Sequence, residues 1–218
     1  MVTRWAAAAA VLGGLAWIPV RLGVSVAFST EFLRLTYVRW NSLMVIPLGL
    51  MLVAMVALAL RVPTRTGRIG AWVVAAGLVG MLTGVIVEFW IFGGLVGNRG
   101  GAMVGWLIYL LPGLLVHVVG LIGFGIGAIR TPVWRAIGWL AVLVAALHMA
   151  WLPAGMVGDV LLVADQVLIG LVWVAIGVLA MRRPRQFVTE AVTNGTGVVR
   201  DVIDEVRGSM PMEEPEGR

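Results

Sequence analysis

Six long apolar runs decide what this chain can fold into. They cover Trp5 to Ala27, Ser42 to Leu60, Ala71 to Leu95, Val104 to Ile129, Val133 to Leu152 and Val160 to Met181. At about 1.5 Å of rise per residue, a helix of any of these lengths crosses a hydrocarbon layer of roughly 30 Å. Lipid cannot satisfy backbone N–H and C=O groups, so the runs must close their own hydrogen bonds as helices. The expected fold class is all-α: a polytopic membrane protein with a six-transmembrane-helix bundle, short loops and a cytoplasmic C-terminal tail. Composition agrees, since 12% of the 218 residues are charged, about half the share of a soluble domain.

Charge placement gives the expected orientation. Arg4, Arg61, Arg65, Arg68, Arg130, Arg135, Arg182, Arg183 and Arg185 flank the runs on one side, against Arg34, Arg39 and Arg99 on the other. The positive-inside bias then predicts a multi-pass protein of the cytoplasmic (inner) membrane with both termini cytoplasmic. Arg4, the run Ala6 to Val20 and Ser25-Val26-Ala27 also fit a signal peptide. Arg21 and the length of the run favour a retained helix. The first outer loop, Phe28 to Asn41, mixes apolar and charged residues and is expected along the interface or over the bundle end, with Tyr37 and Trp40 as belt aromatics.

Residues 1–181 thus form the transmembrane domain and 182–218 the tail. The tail carries six Arg and seven acidic residues, with Val198, Val199, Val202, Ile203 and Val206 at the spacing of a short amphipathic helix before a disordered end rich in Pro and Glu. Its slightly acidic balance argues against electrostatic attachment to anionic lipid.

Missing residue types remove several chemistries. All sixteen basic residues are Arg and there is no Cys, which excludes lysine Schiff bases, disulfides, thiolate metal sites and Fe–S clusters. The basic residues sit at the ends of runs rather than along a helix face, so no nucleic acid is expected as a partner. No HExxH-like spacing supports a metal site. A haem between His117 and His148 needs both rings at one depth, and counting along the spans separates them by roughly 14 Å. No cofactor and no catalytic residues are assigned, and a non-enzyme is expected.

Ionisable groups at bilayer depth are costly and are default candidates for function. Counting inward from each span's outer end puts Arg21 and Glu88 roughly 10 Å deep, Tyr109 and Asp165 roughly 8 Å and His148 roughly 6 Å, with His117 deeper at roughly 20 Å. Small residues share their faces: Gly77, Gly80 and Gly84 with Glu88; Gly113 and Gly120 with His117 and Tyr109; Ala141 and Ala145 with His148; Gly14 with Arg21. Small residues mark close helix approach, so these groups are expected to point inward. Gln166 aligns with Gly170 and Gly177, and Pro112-Gly113 should kink the fourth helix and open space beside His117.

One Arg against two carboxylates leaves an unbalanced negative charge. The expected function is binding or transport of a small polar or cationic solute at an outward-facing site. Arg21, Glu88, Tyr109, His148 and Asp165 are its ligand-binding residues, with His117 and Gln166 secondary. The alternative is a non-catalytic structural or assembly subunit whose buried charges fix helix packing, and whose Ala and Gly faces or tail bind a membrane or cytoplasmic protein. A polar cavity would favour the first reading, direct ion pairs without a cavity the second.

Overall fold

In a computed structural model of the chain the described residues are 2–27, 31–96, 105–157 and 159–182. The expected amphipathic helix and disordered end of the tail lie outside them. Helix α1 spans Val2–Val26 and α2 Tyr37–Ser42; α3 spans Val45–Ala59 and α4 Arg65–Val85, which continues as a π-helix over Ile86–Val96. A π-helical turn, Trp106–Leu110, leads into α5, Leu111–Ile129; a 3-10 turn, Pro132–Trp134, leads into α6, Arg135–Val157, and α7 spans Asp159–Arg182. Six stretches of these helices are long and apolar enough to cross a membrane. Among the described residues the one non-helical pairing is a bridge between Phe32 and Leu35.

Helix α1 packs on α3, α3 on α4, α4 on α5 and α5 on α6. The face of α1 carrying Gly14 meets Gly170 and Val174 of α7. The interior is filled by Leu48, Met51, Leu78, Leu121, Phe124, Ile137 and Trp173, all essentially inaccessible. Leu12, Val53, Val79, Val119, Leu143 and Leu171 are exposed on the opposite faces. Helices apolar on both sides suit lipid rather than water.

The tightest seam joins α4 and α5. Gly70, Gly77 and Gly84 recur at intervals of seven on one helix, and Gly113, Gly120 and Gly127 on the other. In the seam Gly77 abuts the backbone of Gly113 and His117, Gly84 that of Leu110, and Gly120 that of Val74. A Cβ on Gly113 would lie 2.6 Å from the Met81 nitrogen, closer than side chains tolerate. Between helices in lipid, where no hydrophobic force drives association, such backbone contact supplies the dispersion energy of packing. Thr64 fastens the far end: its hydroxyl donates to the Gly127 carbonyl at 3.0 Å while accepting from the Gly67 N–H at 3.2 Å.

Several boundaries differ from expectation, and each shifts a polar residue. The second span begins at Tyr37, five residues before the expected Ser42, because Thr36 caps α2. Trp40 is therefore not a belt aromatic. It is 7% exposed, packs its indole over Gly23 and donates from Nε1 to the Phe32 carbonyl at 3.1 Å. The preceding tight turn carries Leu33 at φ 50° and Arg34 at φ 60°, a left-handed pair held by the Phe32–Leu35 bridge and the Trp40 hydrogen bond. Helix α6 runs through Pro153 to Val157 rather than stopping at Leu152. Gly113 is pressed against α4, while Leu110, Leu111 and Leu114 around Pro112 border a cavity whose lining does not include His117. Lacking an N–H and crowding the carbonyl four residues back, Pro112 follows directly on the π-helical turn.

Candidate functional site

At the bundle end opposite Arg61, Arg65 and Arg130, the helix ends enclose a cavity of about 390 Å³. Its polar wall comes from Trp17, Arg21 and Ser25 of α1, Tyr37 and Asn41 of α2, His148 of α6 and Gln166 of α7. The apolar wall includes Leu48, Met81, Val85, Phe89, Leu114 and Leu162. Both π-helical stretches border the space, through Phe89 on one side and Trp106 and Leu110 on the other. π-Helical turns are rare and concentrate at functional sites.

Arg21 organises the polar wall. Its Nε donates to Gln166 Oε1 at 2.9 Å, and Gln166 Nε2 donates to Asp165 Oδ2 at 2.9 Å. The partners dictate the amide orientation: a guanidinium only donates, so Gln166 turns its oxygen to Arg21 and its nitrogen to the carboxylate. The charges are thus linked through a neutral amide rather than by direct contact. Beneath the guanidinium lies the Trp17 indole, 5.7 Å from the arginine carbon to the ring centroid, a cation–π distance between residues one helical turn apart. The Trp17 Nε1 is buried and has no hydrogen-bond partner.

Behind Trp17 lie the two imidazoles. The His148 ring is 6.1 Å from Trp17 and 5.1 Å from His117, edge to face. This overturns the expected separation in depth. The sequence count ended the fifth span at Leu152, whereas α6 continues to Val157, which lowers His148 by about 7.5 Å and closes about half of the counted separation; the rings themselves meet. His148 Nδ1 donates to the Val144 carbonyl at 2.8 Å, since a carbonyl oxygen only accepts. His117 is 1% exposed and its Nδ1 has no partner.

Of the five residues expected to bind ligand, Arg21 and His148 line the cavity, as does the secondary residue Gln166. Glu88 and Asp165 are buried but stand outside the lining, each with one unpartnered oxygen, Glu88 Oε2 and Asp165 Oδ1. Glu88 is packed against Gly105. His117 stands behind His148. Tyr109 does not enter: it is 40% exposed and turned outward. The phase that aligned Tyr109 with Gly113 and His117 assumed an unbroken α-helix, and the π-helical turn over Trp106–Leu110 rotates it away.

Trp17, Ser25, Tyr37 and Asn41 line the cavity without having been expected there. A signal existed for Trp17, four residues before Arg21 on the same helical face. Tyr37 and Asn41 form the same spacing, hidden because the span was begun after them. Among the described residues no group of three His, Asp or Glu side chains is placed to hold a metal ion. The chain matches no protein-family model, no curated protein and no solved structure.

Proposed function

We propose that this protein binds a small polar solute in the cavity at the Arg21 end of the bundle, as the binding step of uptake or export. One observation carries the reading. A buried-edge arginine is held by an amide at the wall of a cavity of about 390 Å³ instead of being closed by a carboxylate. Arg–carboxylate contact that merely fixed helix order would need no such space. The volume lies within the range of about 300–1,000 Å³ usual for small-molecule sites, which combine an apolar lining with a few placed polar groups. In this reading the arginine-rich connectors face the cytoplasm and the cavity faces the other side of the inner membrane.

A thermal-shift screen of polar solutes against the protein in nanodiscs tests the proposal, with Ser25→Phe as the comparison. Ser25 spends its hydroxyl on the Arg21 carbonyl one turn back, at 3.0 Å, so the substitution fills the cavity at small cost to the helix. A solute that raises the melting temperature of the parent and not of the variant supports the reading. No stabilising solute, with Arg21→Gln and Asp165→Asn only lowering stability, supports the packing role instead.

A further inference from the structure

The placement of charge around the cavity says which solute it takes. Resting on the binding role above, we infer that the ligand is a monoanion with an apolar body, such as a medium-chain or aryl carboxylate, its head at Arg21. A cation would have been the expectation from counting two carboxylates against one arginine, but neither carboxylate lines the cavity. The Asp165 carboxylate is turned to the Gln166 amide, and Glu88 is packed under Gly105.

Among the residues lining the space the one formal charge is that of Arg21. Arg21 spends one N–H on Gln166, and its terminal nitrogens have no protein acceptor among the described residues. A guanidinium carries five N–H donors in a planar fork, suited to two carboxylate oxygens at once. The Trp17 Nε1 is buried and closed to the cavity, so the indole contributes its ring face under the guanidinium and not its N–H. The guanidinium stacked on the Trp17 ring and tied to Gln166 is pre-oriented, so little side-chain entropy is lost on binding.

The remainder of the cavity selects the body. Leu48, Met81, Phe89, Leu114 and Leu162 offer no hydrogen bonds, so a solute polar throughout would leave its far end unsatisfied. Size sets the length. A water-sized group occupies about 30 Å³, and 390 Å³ therefore accommodates roughly a dozen such groups. Octanoate or a phenylalkanoate fits. A diacyl phospholipid, with several times as many atoms, would have to leave its tails outside, and nanodiscs of zwitterionic lipid separate a free carboxylate from an anionic membrane lipid as the source of the head.

The test is isothermal titration of nanodiscs of zwitterionic lipid with octanoate, octanol and octyltrimethylammonium, each corrected by empty nanodiscs. The inference predicts saturable octanoate binding, none by the ammonium, and an affinity loss of at least about tenfold in Arg21→Gln, the worth of one charge-assisted hydrogen bond. Arg21→Lys, which keeps the charge and loses the planar fork, should weaken octanoate and leave octanol unchanged. This variant serves equally if Arg21→Gln fails to fold. Equal or stronger binding of the ammonium or the alcohol overturns the anion assignment and leaves the binding role intact. Saturable binding of none of the three, alongside a positive solute screen, overturns the assignment too. A screen that also finds no ligand overturns both.

Discussion

Replacing Gly113 by alanine adds a single methyl group at the tightest point of the α4–α5 seam. The new Cβ would stand 2.6 Å from Met81 N, 2.8 Å from the Gly80 carbonyl carbon and 2.9 Å from the Gly77 carbonyl oxygen. All three are backbone atoms, so no side-chain rotation relieves them. Ordinary contact begins at 3.4 Å, and the helices must part locally by the difference from 2.6 Å, about 0.8 Å. A gap of that size forfeits a quarter to a half of a contact worth ~0.1–0.2 kcal/mol. Over roughly 40 atom pairs, the number one buried Leu makes, the loss is about 1–4 kcal/mol, in line with measured costs of overpacking. Alanine recovers roughly 0.5–1 kcal/mol over glycine in a helix, so at the middle of these ranges the net expectation is destabilisation by about 2 kcal/mol. The control is Gly49→Ala on α3, where a Cβ meets nothing within 4 Å and helix propensity alone acts. Unfolding in mixed micelles should place Gly113→Ala below the parent and Gly49→Ala at or above it. Two variants of equal stability would refute the claim that the glycines permit the seam.

Two further outcomes follow from the same geometry. Gln166→Leu strips Arg21 and Asp165 of their shared amide at little change in volume, and should cost about 1.5–3 kcal/mol in the same unfolding assay; an unchanged midpoint would mean that the amide bridge contributes nothing. For orientation, the absence of native cysteine makes single replacements clean reporters. Arg34→Cys should react with a membrane-impermeant maleimide on intact cells, and Thr66→Cys only after permeabilisation. The reverse pattern would invert the proposed topology.

The six spans were legible because the length and apolarity of a run are one-dimensional quantities. Which residues meet was less so, since small errors in boundary or phase displace a side chain by a turn. The sequence count stopped the fifth span before Pro153 and so held His148 away from His117, whereas the helix continues through the proline and the rings meet at 5.1 Å. The π-helical turn ahead of Pro112 turned Tyr109 outward, a rotation that no α-helical count contains. The glycine faces fared better: Gly77 and Gly113 do mark close backbone approach, because only a missing side chain permits it. Charge counting found Arg21, Glu88 and Asp165 but could not tell which faced the cavity. That depends on a single neutral residue, Gln166, whose amide keeps Asp165 turned aside.

The account rests on a water-accessible, electropositive cavity beside Arg21, and the reactivity of Ser25→Cys probes it directly. In nanodiscs, where both faces meet the reagent, the thiol should react with small methanethiosulfonates, and faster with the anionic ethylsulfonate than with the cationic ethyltrimethylammonium form. Ala54→Cys, at a fully buried core position away from the cavity, should stay unmodified. A Ser25→Cys thiol as inert as that at position 54, or one that prefers the cationic reagent, would contradict the account.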